Sequence, residues 1–184
     1  MKILKVFIKN INSLQGEFVI DFEQYPLNSS GLFVITGDTG AGKTSILDAI
    51  TLALYGRVAR NDKAFDVMSH NSVETMATTI FSIDNAKYQS SWSLKRSRGK
   101  VDGKIQDAEH KLAKWNYESE VYEIISEKKS ETKILIEQIT KLDFDRFCKS
   151  VMLVQGDFAA FLKAKDDVKS QLLERIAGTT FYSD

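Results

Sequence analysis

Cysteine, proline and an excess of either charge are what this 184-residue sequence has least of. Its one cysteine, Cys148, excludes an internal disulfide and suits either a reducing compartment or a buried, inert thiol. Its one proline, Pro26, excludes a proline-rich linker. Lysine and arginine together number 25, as do aspartate and glutamate, so any nucleic-acid surface has to be a local patch.

Long apolar runs are also missing. No stretch approaches the roughly 18 apolar residues that a membrane-spanning helix needs. Lysines interrupt the N-terminal MKILKVFIKNINSL, which therefore lacks the continuous apolar region of a secretory signal. We expect a cytoplasmic protein without a membrane partner. The 43% of apolar and 27% of charged residues are typical of a globular chain, and the length suits one domain.

Three segments in the first 36 residues have the pattern of β-strands. Two of them alternate apolar and polar residues, as strands with one buried face do. Their apolar positions are Leu4, Val6 and Ile8 in the first and Phe18, Ile20 and Phe22 in the second. The third, Leu32-Phe33-Val34-Ile35, is continuously apolar, which is typical of a strand covered on both faces in a parallel sheet.

A phosphate-binding loop follows this third strand. The residues from Gly37 to Thr44, GDTGAGKT, meet the P-loop spacing G-x-x-x-x-G-K-[ST] in full. Glycines let successive backbone N–H groups converge on phosphate oxygens, and the N-terminus of the next helix adds partial positive charge. That helix is predicted from its apolar spacing and ends near Gly56, a plausible C-cap.

The residue types of the loop predict ATP and Mg²⁺ as cofactors. Lys43 is predicted to reach the β- and γ-phosphates and to act in catalysis, and Thr44 to ligate Mg²⁺. The predicted nucleotide contacts are Gly37, Asp38, Thr39, Gly40, Ala41, Gly42, Lys43, Thr44 and Ser45.

The pattern changes after residue 76. Residues 77–126 read as short alternating strands separated by turns, which favours an antiparallel sheet. An amphipathic helix is predicted over about residues 131–142, with Leu135, Ile139 and Leu142 on one stripe. A buried strand is predicted at 151–154, followed by Gln155, and a last helix ends at Gly178.

Much of a complete hydrolytic site is missing from the pattern. Phosphoryl transfer needs an acid that organises Mg²⁺ and water, usually after four apolar residues. The one candidate, Ile134-Leu135-Ile136-Glu137, is one apolar residue short and lies on the predicted helix, so Glu137 is interpreted as a solvated glutamate. No LSGGQ-like signature is present either. These absences indicate half of an active site.

Three segments together resemble the SbcC family, the SMC-related ATPase subunits of SbcCD DNA-repair nucleases. They are KILKVFIKNINSLQGE, the loop with GKTSILDAITLALYG, and VMLVQGDFAAFLKA. The resemblance implies the N-terminal lobe of an ABC-type P-loop NTPase head, an α/β fold with a parallel core strand layer and an antiparallel β-subdomain. It places the P-loop core at residues 1–60 and 130–178, the β-subdomain at 77–126, and the start of a coiled coil after about residue 178.

The resemblance also implies partners. The C-terminal lobe of the same protein would supply the missing motifs, and a second copy of the head would complete two composite ATP sites. An SbcD-type nuclease partner would carry the chemistry on double-stranded DNA, and the protein would be associated with the nucleoid.

Further site residues follow from the resemblance. Gln155 matches the Q-loop glutamine near Mg²⁺ and the attacking water, and is expected to act in catalysis and metal binding; the alternative is a residue that only turns the chain before Gly156. Asn12 and Ser13 match a turn that contacts the nucleotide. Met68 and His70 lie near where relatives approach the base, and the alternative for His70 is an exposed loop residue.

A basic stretch lies in the predicted antiparallel region. Its members are Lys95, Arg96, Arg98, Lys100 and Lys104, with Lys111 and Lys114 on a neighbouring strand. Such a patch suits DNA phosphates, which are bound without regard to sequence. The alternative is a solvated hairpin tip, and the resemblance favours the DNA role.

Three other functions stay open. A small P-loop kinase fits the length, although two strands precede the loop and an arginine-rich lid is lacking. A transporter-type ATPase would need a signature and an acid within the same chain. A nucleotide-gated dimerisation module would bind ATP without hydrolysing it.

Overall fold

The computed structural model describes residues 1–29, 35–59 and 64–150. It divides the chain into two compact units, Met1–Lys141 and Leu142–Asp184. Most of the predicted strand at 32–35, the predicted strand at 151–154, Gln155 and the predicted last helix lie outside the described residues.

The first unit is built on one six-stranded antiparallel sheet. Its strands are β1 (Lys2–Ile11), β2 (Leu14–Asp21), β3 (Glu74–Ile83), β4 (Ala86–Lys95), β5 (Glu109–Asn116) and β6 (Val121–Ser126). They lie in the order β2-β1-β3-β4-β5-β6, and all neighbours are antiparallel. The two alternating strands predicted near the N-terminus and the antiparallel strands predicted over residues 77–126 are therefore confirmed, and the pairing of β1 with β3 joins the first two to the other four.

This pairing bears on the predicted division of the unit. The sheet runs across the boundary that we drew between a P-loop core, which begins at residue 1, and an antiparallel region at 77–126. The division and the coiled coil after residue 178 stay predictions.

Helix α1 (Lys43–Tyr55) packs on one face of the sheet, against β1, β3 and β4. The predicted apolar positions of β1 are buried, with Leu4, Val6 and Ile8 exposed by 3% or less. The central strands place small residues on the same face, among them Ala77 of β3 and Ser90 of β4, both fully buried. Small side chains let the helix approach the sheet closely, and this sets the position of the P-loop, which immediately precedes the helix.

The opposite face carries ion pairs. Lys5 Nζ lies 2.6 Å from an Asp21 carboxylate oxygen, and Lys9 Nζ lies 2.8 Å from Glu17 and 2.6 Å from Glu74. These lysines lower the pKa of Asp21 and of Glu74, and the two glutamates raise the pKa of Lys9. Cross-strand pairs of opposite charge stabilise the register of β2, β1 and β3.

Two further helices follow the sheet, α2 (Lys129–Thr140) and α3 (Phe144–Ser150). α2 confirms the predicted helix, but its most buried residues are Thr132, Ile136 and Thr140. The predicted stripe of Leu135, Ile139 and Leu142 is only half-buried. Within the part of the chain that the structure describes, no helix is long and apolar enough to cross a bilayer.

The threonines of α2 are buried because their hydroxyls find partners. Thr132 Oγ1 donates to the His110 carbonyl at 3.1 Å, and Thr140 Oγ1 donates to the Ile136 carbonyl at 2.7 Å. A satisfied hydroxyl loses little on burial, so the threonine face packs inward although it is less apolar than the leucine stripe.

Candidate phosphate-binding site

The loop before α1 is exposed from residue 35 to residue 41. The Ala41 N–H donates to the Asp38 carbonyl at 3.1 Å, which closes a turn within the loop. Gly40 and Gly42 have φ angles of 87° and 89°, a region that side chains with a Cβ rarely adopt. The loop conformation therefore favours glycine at position 42, which the motif specifies, and at position 40, which the motif leaves open.

Lys43 folds back over this loop. Its ammonium donates to the carbonyl oxygens of Gly37 at 2.6 Å and of Asp38 at 2.7 Å. These two bonds hold the ammonium group against the loop backbone. Without them, the long side chain of Lys43 would be free to point into solvent. A fixed ammonium beside an exposed backbone loop is an arrangement that suits an anion.

The start of α1 has no side-chain cap. Gly42 is the N-cap residue and carries no side chain to accept a backbone N–H, while the Ser45 N–H bonds to the Gly42 carbonyl at 2.9 Å. The first N–H groups of a helix need an outside partner, and they attract negative charge. Phosphate oxygens satisfy both requirements.

The residues at the helix start also suit a metal ion that is held mainly by the phosphates of a bound nucleotide. Thr44 is half-buried next to Lys43, and Ser45 is 3% exposed. Among residues 1–29, 35–59 and 64–150, no group of three or more His, Cys, Asp or Glu side chains is placed to hold a metal ion by itself. Mg²⁺ at phosphate sites typically takes one or two protein oxygens, with phosphates and waters as its other ligands, so one threonine hydroxyl suits the predicted role of Thr44.

The turn between β1 and β2 lies against the loop. A Cβ added to Gly42 would stand 2.6 Å from Leu14 Cδ2 and 3.2 Å from Ser13 Oγ. Asn12, with a φ of 50°, donates through Nδ2 to the Asp48 carboxylate at 3.0 Å. Of the predicted contacts, Ser13 thus lies beside Gly42 of the P-loop, and Asn12 is bonded to the helix that follows the loop.

The segment after residue 66 braces the same turn. The Asn12 N–H donates to the Val67 carbonyl at 2.7 Å, and Ser69 Oγ donates to the Asn12 carbonyl at 2.8 Å. Met68 is half-buried and forms an isolated bridge with Ile11, while the side chain of His70 is exposed. The roles of Met68 and His70 toward a base stay predictions.

Sequence reasoning missed two residues that shape this site. Asp48 is 2% exposed and accepts the Asn12 bond from the inner face of α1. Leu14 makes the closest approach to Gly42. The signal for Asp48 was a carboxylate among the apolar residues of LDAITLAL, whereas nothing in the local pattern around Leu14 indicates contact with the loop.

The remaining predicted residues lie elsewhere. Gln155 is outside the described residues. Glu137 lies on α2, where Lys133 Nζ approaches it to 3.8 Å, in agreement with its interpretation as a surface glutamate.

The basic stretch forms a hydrogen-bonded loop between β4 and β5. The Ser97 N–H donates to the Lys104 carbonyl at 2.8 Å, and a Cβ on Gly103 would stand 2.3 Å from the Ser97 carbonyl oxygen. Arg96 is half-buried and donates to the carbonyls of Ser72 at 3.3 Å and Gly103 at 3.2 Å, so its guanidinium supports the loop from within.

The other four cations of this stretch are exposed. They are Lys95, Arg98, Lys100 and Lys104. On the neighbouring strand, Lys111 is paired with Glu109 at 3.7 Å and Glu127 at 3.2 Å, and these carboxylates raise its pKa. Lys114 of the same strand is exposed, so the available positive charge lies on the loop and at Lys114.

Comparison with known proteins indicates the family of the chain. A family model described as an AAA domain matches residues 5–180. The SbcC component of the SbcCD nuclease from Pseudomonas aeruginosa is 38% identical over 204 residues, which cover 100% of this chain and 16% of the relative. The Bacillus subtilis SbcC component is 32% identical over 185 residues, again covering 100% of this chain and 16% of the relative.

A third relative carries a related name. "Probable DNA double-strand break repair Rad50 ATPase" of Aquifex aeolicus is 31% identical over 176 residues, which cover 94% of this chain and 16% of that protein. The chain thus spans 16% of the length of each of these three relatives. The match to the family model over nearly its whole length identifies the chain as a member of the AAA domain family with the α/β fold of a P-loop NTPase lobe, similar to the SbcC components of SbcCD nucleases.

Proposed function

We propose that the chain is the N-terminal ATP-binding lobe of a DNA-repair ATPase that acts on double-strand breaks and hairpins. The observation that carries the proposal is the P-loop, where Lys43 is tied to the carbonyls of Gly37 and Asp38 in front of an uncapped helix. The similarity to proteins named for the SbcCD nuclease and for double-strand break repair supports the DNA-repair part.

In this proposal ATP and Mg²⁺ bind at one half of a composite site. Residues Gly37–Ser45 hold the triphosphate, Thr44 ligates Mg²⁺, and the turn at Asn12 and Ser13 contacts the nucleotide. Gln155 would position Mg²⁺ and the attacking water. Met68 and His70 would lie toward the base.

The rest of the machinery would come from other parts. A C-terminal lobe would add the signature and the acid that this chain's pattern lacks. Two heads would close on two ATP molecules because the γ-phosphate contacts both, and hydrolysis would release them. A nuclease partner of the SbcD type would cut the DNA under the control of this cycle.

The test is to combine the chain with a C-terminal lobe from an SbcC relative. We expect ATP to induce dimers of the combined head and hydrolysis to be measurable, with both lost in Lys43→Ala. Light scattering and phosphate release measure the two properties. The same substitution at Lys87, a surface lysine of β4, is the control and should change neither.

Three results would contradict the half-site proposal. Hydrolysis by residues 1–184 alone would show a complete site. Phosphate transfer to a small acceptor by the isolated chain would favour the kinase. ATP-dependent dimers without hydrolysis in the combined head would favour a dimerisation module.

We further propose that the loop between β4 and β5 contacts DNA phosphates. The proposal is supported by the exposure of Arg98, Lys100 and Lys104 on one short loop whose backbone is fixed by internal hydrogen bonds, and of Lys95 at the end of β4 beside it. Arg96 belongs to the same basic stretch but also holds the loop together, so its substitution would change the fold and the charge at once.

The exposed residues allow a cleaner test. Arg98→Glu with Lys100→Glu should weaken binding of duplex DNA to the combined head by about tenfold or more at low salt and reduce the salt slope by roughly two. The matched control reverses Lys2 and Lys141, two exposed lysines elsewhere on the same unit. An unchanged salt slope in the loop variant, measured by fluorescence anisotropy, would remove the loop from the DNA site.

A further inference from the structure

A second cleft opens at the opposite end of α1. It has a volume of about 890 Å³ and is lined by the C-terminus of α1, by β4 and β5, and by the first turn of α2. A helix of this length places the cleft about 20 Å from the P-loop. The proposed function assigns it no role.

The floor of the cleft contains a buried donor without a partner. Trp92 is fully buried, and within the described residues its indole Nε1 has no hydrogen-bond acceptor. A Cβ added to Gly56 would lie 3.7 Å from Trp92 Nε1 and 3.8 Å from His110 Nδ1, with Trp92 Cδ1 at 3.6 Å. Because Gly56 carries no side chain, no side-chain atom of that residue separates the two nitrogens from the cleft that all three residues line.

His110 presents an acceptor at the same place. Its Nε2 lies 2.8 Å from the Ala53 carbonyl oxygen and therefore carries the ring proton. Burial, with help from the charge of Lys129, lowers the pKa of His110, so the ring is neutral and Nδ1 has a free lone pair. The N–H donor of Trp92 lies near this acceptor nitrogen, and a buried donor normally has a partner.

The rim of the cleft is cationic. Lys129, Ser130 and Lys133 belong to the first turns of α2, whose N-cap residue Lys128 makes no side-chain cap bond. Arg57 also lines the cleft, and Asp107 is the one acid among the lining residues. The helix start and the lysines favour an anion at this rim.

The remaining wall is apolar. Phe65, Leu94 and Ile105 line it, and the ring of Trp92 lies beneath. Pockets for small molecules typically combine such a wall with a few convergent polar groups.

We propose that this cleft binds a small aromatic anion. The phosphate or carboxylate would lie at the start of α2 between Lys129 and Lys133, and the flat part against Phe65. A polar atom of the ligand or a water molecule that it retains would accept from Trp92 Nε1. This site is independent of the P-loop and of the proposed ATPase function.

The indole resonances of the chain provide the test. It contains two tryptophans, Trp92 in the floor of the cleft and Trp115, which packs edge-on against Tyr122 at 4.8 Å. Trp92→Phe and Trp115→Phe assign the two N–H peaks in a ¹⁵N-labelled chain. Titration with phenyl phosphate should shift the Trp92 peak saturably and leave the Trp115 peak in place.

Further probes identify the chemistry. Benzoate distinguishes a carboxylate ligand from a phosphate one, inorganic phosphate tests the anion alone, and benzyl alcohol tests the ring alone. We expect one or both aromatic anions to bind more tightly than inorganic phosphate or the alcohol. Equal affinity for benzyl alcohol and the anions would overturn the proposal.

Surface variants keep the test independent of folding. Lys129→Gln with Lys133→Gln should lower the affinity for the aromatic anion by about tenfold, while Lys141→Gln at the other end of α2 should leave it unchanged. ATP affinity should be the same in all of these variants. Absence of a saturable shift at Trp92, or unchanged affinity in the double variant, would overturn the proposal and leave the P-loop function untouched.

Discussion

The backbone groups at the two ends of α1 differ in their hydrogen-bond partners. At the N-terminal end, residues 35–41 are exposed and the cap residue Gly42 offers no side-chain acceptor. At the C-terminal end, the Gly56 N–H bonds to the Leu52 carbonyl at 2.8 Å, and the Ala53 carbonyl accepts bonds from the protein's own side chains.

The difference teaches where to look for function in a helix. Helix ends leave backbone groups that need partners, and a protein supplies them when the end is structural. Ser90 Oγ lies 2.6 Å and His110 Nε2 lies 2.8 Å from the Ala53 oxygen, so two strands satisfy one carbonyl. The N–H groups of the other end face an exposed loop, where a ligand can supply the oxygens.

The largest expected effect is the loss of nucleotide binding at the N-terminal end of α1. Lys43→Ala should reduce ATP affinity by about 10- to 150-fold, because a charge-assisted bond is lost and typically contributes about 1.5–3 kcal/mol. Isothermal calorimetry with MgATP measures it, and Lys100→Ala, a lysine on the β4–β5 loop, should leave the affinity unchanged. An affinity within twofold of the original for Lys43→Ala would contradict the assignment of this end as the ligand site.

A smaller effect separates the glycines at the two ends. Both have positive φ angles, 89° at Gly42 and 65° at Gly56, so alanine at either adds strain of about 1–2 kcal/mol. Gly42→Ala also meets Leu14 Cδ2 at 2.6 Å, whereas the nearest atom at Gly56, Trp92 Cδ1, lies at an ordinary 3.6 Å. Gly42→Ala should therefore lower the free energy of unfolding by roughly 1 kcal/mol more.

Urea denaturation without nucleotide measures this difference. Equal losses of stability in the two variants would mean that the β1–β2 turn moves aside freely and that its approach to the loop is not fixed.

The third effect concerns pH and the buried histidine at the C-terminal end of α1. The chain has two histidines, His110 beneath α1 and the exposed His70. Burial lowers the pKa of His110 from the usual 6.5, so the unfolded chain binds a proton that the folded chain resists. The free energy of unfolding should fall as the pH drops below about 6.5, by at most about 1.4 kcal/mol per pH unit.

The two histidines serve as matched variants. Between pH 6.5 and 5, His110→Gln should reduce the change of the unfolding free energy with pH, and His70→Gln should not. Asp21 and Glu74, whose pKa values are lowered, contribute stability that is lost only at more acidic pH. Urea denaturation across this range measures the slope of the unfolding free energy against pH. An unchanged slope in His110→Gln would show that the neutral ring does not stabilise the C-terminal end of α1.

Local sequence patterns predicted the parts of the fold that depend on interactions between residues close in sequence. The alternation of Leu4, Val6 and Ile8 predicted β1 and its buried face, and Gly56 predicted the end of α1. The P-loop was predicted because its glycine spacing serves one backbone conformation, and the described loop has positive φ angles at Gly40 and Gly42.

Longer-range features could not be predicted in the same way. β1 pairs with β3 across about 70 residues, and no local periodicity carries that pairing. The buried polar residues were missed for a related reason. Thr132 and His110 are buried because hydroxyls, a ring nitrogen and carbonyls meet in three dimensions, and hydropathy alone favours leucine at such positions.

The pair of hydrogen bonds to the Ala53 carbonyl has a mechanical consequence. It ties the last turn of α1 to β4 and β5, while the Asn12–Asp48 bond ties the first half of the helix to the β1–β2 turn. The helix is therefore attached to the sheet or its turns near both ends, and we expect a displacement of the phosphate loop to be transmitted through α1 to β4 and β5.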